Sequence, residues 1–286
     1  MNLRRSLSSL AVVTSFAAIA GSACFWLPGC NSTGVGNPGL TQEEQALVDD
    51  GSDSSEAGDT SSSIVSAPLL AITRPAEIVD ENTASSTAAY STGAFFPVGC
   101  RTSVKTGTTV TYTFDHCTGP LGLLEISGEV VVKFAARTGG GLDIQFDSVG
   151  LTLNGKPVTQ TARVGIGFSG TTKTVTSKGT FTGTTKRGYP IVHNTDYAIV
   201  SDSTSGCVEI DGSSATDITR PDVVVHLTTV ISGYKRCGAR NACPQSGTVT
   251  FTNAKKLSVT LKYLGGRSVE ITSPHGTTTD YKLTCS

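Results

Sequence analysis

Alternation of apolar and polar residues dominates the chain from about residue 98 to its end. Val110, Tyr112 and Phe114 share one parity, with Thr109, Thr111 and Thr113 on the other, which is the period of a half-buried strand. Leu124 to Ile126 and Val130 to Phe134 predict a long strand with Gly128 as a bulge or kink. Across Leu142–Leu153 the apolar parity switches, from Ile144 and Phe146 to Val149, Leu151 and Leu153. One extra residue turns every following side chain to the other face, so a bulge is expected near Asp147-Ser148. Asn154-Gly155 is the strongest hairpin signal in the chain. Further strands are predicted over Val158–Phe168, Lys173–Thr182, Ile191–Val200, Cys207–Ile210, Val223–Tyr234, Thr248–Thr252, Leu257–Tyr263, Ser268–Thr272 and Asp280–Cys285. Strands spaced by about 8–12 residues, with turn residues between them, predict an all-β antiparallel meander that forms a sandwich or a barrel over 98–286.

The first thirty residues follow a different pattern. Arg4 and Arg5 precede an uncharged run from Leu7 to Ala23, and Phe25-Trp26-Leu27-Pro28-Gly29-Cys30 follows. This is the layout of an export signal, too short and too weakly flanked for a permanent span. Two cysteines compete to end it. Cys30 has Leu27 three residues before it and Gly29 just before it, as lipid-attachment sites do; Cys24 has Ala23 before it but Gly21 in the place of the aliphatic residue. Lipidation of Cys30 removes Cys24 with the signal and leaves six cysteines that can all pair, whereas lipidation of Cys24 strands Cys30 as an odd thiol. Cys30 is therefore favoured. The plainer alternative is a secretory signal cut near Ala23, with Cys24 and Cys30 bridging each other.

Residues 31–66 read as a low-complexity tether, rich in Ser, Thr, Gly and Asp, with Glu43, Glu44, Asp49, Asp50 and Asp53 clustering negative charge. Such a composition buries too little apolar surface to offset the entropy of ordering it. Thr41-Gln-Glu-Glu44 has capping-box spacing, which allows a turn or two of helix over Gln42 to Val48. Gly34-Val-Gly36-Asn-Pro-Gly39 matches a dinucleotide-binding pattern, but no strand precedes it and Pro38 interrupts it. Residues 67–97 are a connecting segment of mixed character, with Ala67–Ile72 and Phe95–Val98 as candidates for docking on the domain.

Composition narrows the function classes. The chain has 286 residues and a net charge of -1, so no basic excess points to nucleic acid. Its 32 glycines and many threonines suit strands and tight turns. Three disulfides are the natural use of Cys100, Cys117, Cys207, Cys237, Cys243 and Cys285 outside the cytoplasm. Sequence leaves the pairing open; the preferred set is Cys100 with Cys117, Cys237 with Cys243, and Cys207 with Cys285. There is no Cys-x-x-Cys and only His116 lies beside a cysteine, so no metal site is expected, and no cofactor is implied.

Signatures of catalysis are lacking. His116, His193, His226 and His275 are scattered, without His-Glu-x-x-His or Gly-x-Ser-x-Gly. His226 points from the face opposite Val225 and Leu227, as a solvated or cross-strand-paired residue. Asp143, Gln145 and Asp147 share a strand face, as outward polar positions of antiparallel sheets do. The best contact surface in the sequence is the loop from Tyr234 to Gly247, where Lys235, Arg236 and Arg240 surround a turn closed by cysteines. A closed loop loses less entropy on binding, and its cations suit an anionic or protein partner. Equally, it can be a tied crossover whose basic residues serve solubility.

The Cys-Thr-Gly-Pro-Leu-Gly turn at 117–122 after a Tyr-Thr-Phe strand, with Tyr-Lys-Arg-Cys…Cys-Pro-Gln-Ser-Gly at 234–247, resembles a group of uncharacterised exported bacterial lipoproteins with a six-cysteine β-rich domain. The resemblance covers roughly 98–286 and implies a lipid anchor and a disulfide-bonded β domain, but no activity. The expected function is a membrane-anchored envelope lipoprotein with a structural or binding role. Alternatives are a carrier of an apolar ligand inside a barrel and a hydrolase with a site assembled from distant residues. Asn31 rather than Asp after Cys30 predicts outer-membrane anchoring, periplasmic or surface-exposed; secretion is the alternative address.

Overall fold

The computed structural model describes residues 41–69, 80–90, 95–118, 125–138, 140–238, 242–276 and 278–283. The signal segment, Cys24, Cys30, Arg240 and Cys285 lie outside them. Among the described residues two helices come first, α1 (Gln42–Leu69) and α2 (Glu81–Tyr90). Strands follow as β1 (Arg101–Thr106), β2 (Thr109–Thr118), β3 (Glu125–Ala136), β4 (Leu142–Leu153), β5 (Lys156–Pro157), β6 (Thr159–Ser169) and β7 (Thr172–Thr184). The second half comprises β8 (Pro190–Asp202), β9 (Cys207–Thr219), β10 (Val224–Cys237), β11 (Pro244–Asn253), β12 (Ser258–Tyr263), β13 (Ser268–Thr272) and β14 (Thr278–Lys282).

Each strand pairs antiparallel with its neighbour in sequence, except that the two-residue β5 folds back on β4 and the path continues from β4 to β6. The all-β meander expected from the alternation is therefore present. It is one continuous sheet rather than two facing ones, and among the described residues β1 and β14 do not pair, so the sheet stays open. Asn154 and Gly155 take φ of 50° and 73° in the turn between β4 and β5, the left-handed pair that a tight hairpin requires.

Bulges decide which side chains face inward. Around Gly128 the register jumps from Ser127↔Thr152 to Glu129↔Val149, so the extra residue lies on β4, where Gly150 and Leu151 face Gly128, and not on β3 as expected. The parity change of β4 belongs to this same bulge, at Gly150 and Leu151. Asp147 and Ser148, where it was expected, pair regularly with Val131 and Val130, and Val149 is exposed. Gly128 has φ 111°, and a Cβ there would stand 2.5 Å from the Gly150 carbonyl oxygen. Gly128→Ala is expected to cost about 2 kcal/mol, read as a lower denaturant midpoint at unchanged slope.

The inner face carries Val110, Tyr112, Val132, Phe134, Leu142, Ile144, Phe146, Ile166, Ile218 and Leu227, all buried. Helix α2 lies over β1, β2 and β3, capped by Asp80, whose Oδ1 accepts from the Thr83 amide at 2.8 Å. Its Ala84 and Ala88 are fully buried. Of the two stretches expected to dock, the docking of Ala67–Ile72 lies outside the described residues; in Phe95–Val98, Phe95 is buried against Phe114, with ring centroids 5.0 Å apart, while Val98 is 90% exposed.

The largest departure from expectation is α1. Residues 42–66 are no tether: they form most of a 28-residue helix that touches β6, β7 and β8 on one side and β10, β11 and β12 on the other. From Glu44 to Val65 no described residue is exposed, so the sheet curves around the helix. The capping box does form. The Thr41 amide donates to Glu44 Oε2 at 2.7 Å, and the Glu44 amide to Thr41 Oγ1 at 3.3 Å. The helix runs far beyond the expected turn or two because the sheet, not local propensity, supplies the stabilisation.

Two disulfides are placed by register. Cys100–Cys117 pairs as expected. Cys207 bonds Cys237, not Cys285, and Cys237 is thereby unavailable to Cys243, which is itself disulfide-bonded. Cys207 and Cys237 stand directly opposite each other at the ends of β9 and β10. Strand pairing brings them together across 30 residues.

Candidate functional site: the seam between the central helix and the sheet

Of the loop picked out by its cations, Tyr234, Lys235 and Arg236 are described and Arg240 is not. β10 carries a bulge between Ile231 and Tyr234, where Ile231 pairs with Gly212 and Tyr234 with Ile210. Leu227, Thr229 and Ile231 face inward before it; Tyr234 and Arg236 face inward after it, both buried. Tyr234 packs edge-on against Tyr263 with centroids 5.2 Å apart. Lys235 turns outward and lies 3.9 Å from Glu209. One bulge thus takes Tyr234 and Arg236 away from solvent.

Chemistry gathers instead at the seam of α1 and the sheet. The hairpin connections after β7, β9, β11 and β13 all lie at one end of the meander. They bring Lys186 and Arg187, Arg220, Lys255 and His275 to that end, and five carboxylates of α1 meet them. Arg187 donates from Nε to Asp53 Oδ2 at 2.9 Å, and from Nη2 to Asp50 Oδ1 at 2.9 Å and to the Asp49 carbonyl at 3.3 Å. Arg220 Nη2 donates to the same Asp50 oxygen. The Tyr189 ring takes both guanidinium groups, each 5.7 Å from its centroid, an arrangement that adds cation–π attraction.

Asp50 and Asp53 side chains are only 6% and 7% exposed, so their charges depend on these partners. Burial is the largest influence on Asp53 and raises it above the ordinary carboxylate range, against the pull of the Arg187 hydrogen bond. Toward the start of the helix, Lys255 Nζ meets Glu43 at 2.6 Å and His275 Nδ1 meets Glu44 at 2.9 Å. The His275 contact, followed by the Thr41 amide, holds Glu44 down at about 2. Lys186 Nζ meets Glu56 at 3.2 Å.

Deeper in the seam the contacts are uncharged. Gln160, Phe181, His193, Thr216 and Leu227 form one row across β6 to β10. Ser54 Oγ of α1 lies 2.7 Å from Thr216 Oγ1, which lies 2.8 Å from His193 Nδ1. His193 is 2% exposed. Burial holds its imidazole down to about 4, so the ring is neutral. His193 Nε2, Gln160 Oε1 and Thr229 Oγ1 are buried without a hydrogen-bond partner.

The remaining sequence candidates lie apart. His226 is exposed and pairs across the strands with Asp217 at 2.6 Å, as its outward parity predicts. His116 is exposed beside Glu125 at 2.8 Å, and that hydrogen bond raises its imidazole. Gln145 donates to Asp147 at 2.9 Å on the outer face, where Asp143 also stands exposed. Sequence reasoning weighed His193 and His275 only as catalytic residues and missed Arg187 and Arg220. The available signal was opposite charge: an acidic stretch before the meander, and basic residues in alternate connections, which a meander places at one end.

Comparison of the chain with protein-family models, with curated proteins and with solved structures finds no match.

Proposed function

We propose that the protein is an envelope lipoprotein, anchored to the outer membrane through a lipid on Cys30, whose β domain has a structural or binding role. The observation that carries this reading is the pair of bonds Cys100–Cys117 and Cys207–Cys237, because disulfides persist in oxidising compartments. They agree with the export-signal layout of residues 1–30 and with the resemblance to exported lipoproteins. An apolar-ligand carrier is disfavoured: α1 occupies the inner face, and much of what faces it is polar. A hydrolase is disfavoured because His193 is sealed beneath α1.

The test is fractionation of cells with mass spectrometry of the mature N-terminus. A diacylated Cys30 in the outer-membrane fraction is expected, and Cys30→Ala is expected to move the protein to a soluble fraction. Recovery of the uncleaved chain in the cytosol with alkylatable thiols would overturn the reading.

A further inference from the structure

The seam joins two bodies that are held in different ways. The sheet is held by ladders between consecutive strands and by disulfides, Cys100–Cys117 and Cys207–Cys237 among them. Helix α1 has neither; all strands follow it in sequence, so it can leave without withdrawing any of them. Among its described residues, only Leu47, Ala57, Ile64 and Val65 supply buried apolar side chains, against buried Glu44, Asp50, Asp53, Ser54, Ser55 and Ser61. Its sequence is a weak helix former, with Gly51, Gly58 and many Ser and Asp residues. Docking also leaves His193 Nε2, Gln160 Oε1 and Thr229 Oγ1 without partners, and each such buried atom disfavours the docked state.

We propose that α1 is a releasable strap, which undocks from an intact sheet when His193 takes up a proton. The geometry sets the trigger. His193 is linked to the helix by the hydrogen bonds through Thr216 and Ser54, and its Nε2 is buried without a partner while α1 is in place. An imidazolium there has no hydrogen-bond acceptor for Nε2–H, whereas in the undocked protein water supplies one. The charged or titratable groups of this part of the seam are Asp50, Asp53, Glu56 and Asp59 on α1, Lys186, Arg187 and Tyr189 between β7 and β8, Tyr197 on β8, and Arg220 after β9. β6, β7 and β10 present Gln160, Phe181, Leu227 and Thr229, none of them ionisable.

The sign is set by the depressed imidazole. Docking is at full strength above the ordinary histidine value near 6.5 and weakens as pH falls toward about 4. That span corresponds to a shift of roughly 100-fold or more in the docking equilibrium. Glu44, held at about 2, adds a further loss once pH falls below its ordinary value of 4.5. Asp53 works the other way, since burial raises it and acid therefore favours its docked form. The step between pH 6.5 and about 4.5 belongs to His193.

Hydrogen exchange measured peptide by peptide on the purified protein, corrected for intrinsic rates, tests this. Between pH 7 and about 4.5, amides of 42–69 are expected to lose at least tenfold in protection while those of β8 and β9 keep theirs. His193→Asn, which retains a hydrogen-bonding side chain but cannot titrate, is expected to abolish the step. Loss of protection in helix and sheet together, full protection of α1 at pH 4.5, or an unchanged step in H193N would overturn the proposal. The wild-type profile decides the first two outcomes whether or not the variant folds. None of these readings depends on the lipid anchor.

Discussion

Replacing Arg187 with methionine is expected to lower the unfolding free energy by about 3–5 kcal/mol, the usual cost of leaving a buried charge without its partner. The expectation rests on asymmetry. Arg187 is itself partly exposed, but the two carboxylates it serves are nearly sealed. Its removal leaves Asp53 without the guanidinium that donates to it and leaves Asp50 with Arg220 alone. The aliphatic stem can still pack near Tyr189, so the loss reports charge rather than volume. Thermal unfolding should fall by roughly 2–4 °C for each kcal/mol in a domain of this size. Lysine at the same position should recover little, since one ammonium cannot reproduce the fork that reaches Asp53, Asp50 and the Asp49 carbonyl. A cycle combining Arg187→Met with Asp53→Asn should show strong coupling. Independent, additive effects would mean that the network is not a stabilising unit.

Removing the Cys207–Cys237 bond by the double substitution to serine is expected to cost between about 3 and 4 kcal/mol from loop entropy alone. The bond closes a segment of 30 residues and joins the ends of β9 and β10, close to the bulge that turns Tyr234 and Arg236 inward. The shorter Cys100–Cys117 loop of 17 residues should be worth about 3 kcal/mol. Guanidinium unfolding of each serine pair, with and without reductant, distinguishes the two. Reductant should then affect the Cys207–Cys237 variant less than the parent. A variant as stable as the oxidised parent would contradict the assigned pairing.

Much of the fold was legible because a strand declares itself locally. Val110, Tyr112 and Phe114 alternate with threonines, and Asn154-Gly155 specifies its own turn. Neither needs a distant partner. Where legibility failed, the deciding contact was remote. The bulge at Ser232-Gly233 changes which face Tyr234 and Arg236 occupy, and only pairing with β9 opposite Asp211 reveals it. Cys207 and Cys237 meet through that same register. Helix α1 is the strongest case. Its apolar positions make no stripe because the sheet wraps it, and its carboxylates look solvated until Arg187 and Arg220, more than 130 residues away, are brought to them. A composition rule that equates acidic, serine-rich sequence with disorder assumes such partners are absent.

Residues 42–69 form a helix with no exposed position among the described residues from Glu44 to Val65, and not a leash. Digestion of the native protein at neutral pH with a protease specific for glutamate tests it most directly, because Glu44 and Glu56 lie inside the segment. Survival of the bonds after both residues, under conditions that cut the denatured chain at once, is the expected result. Rapid cleavage after Glu56 with the sheet still folded would contradict it.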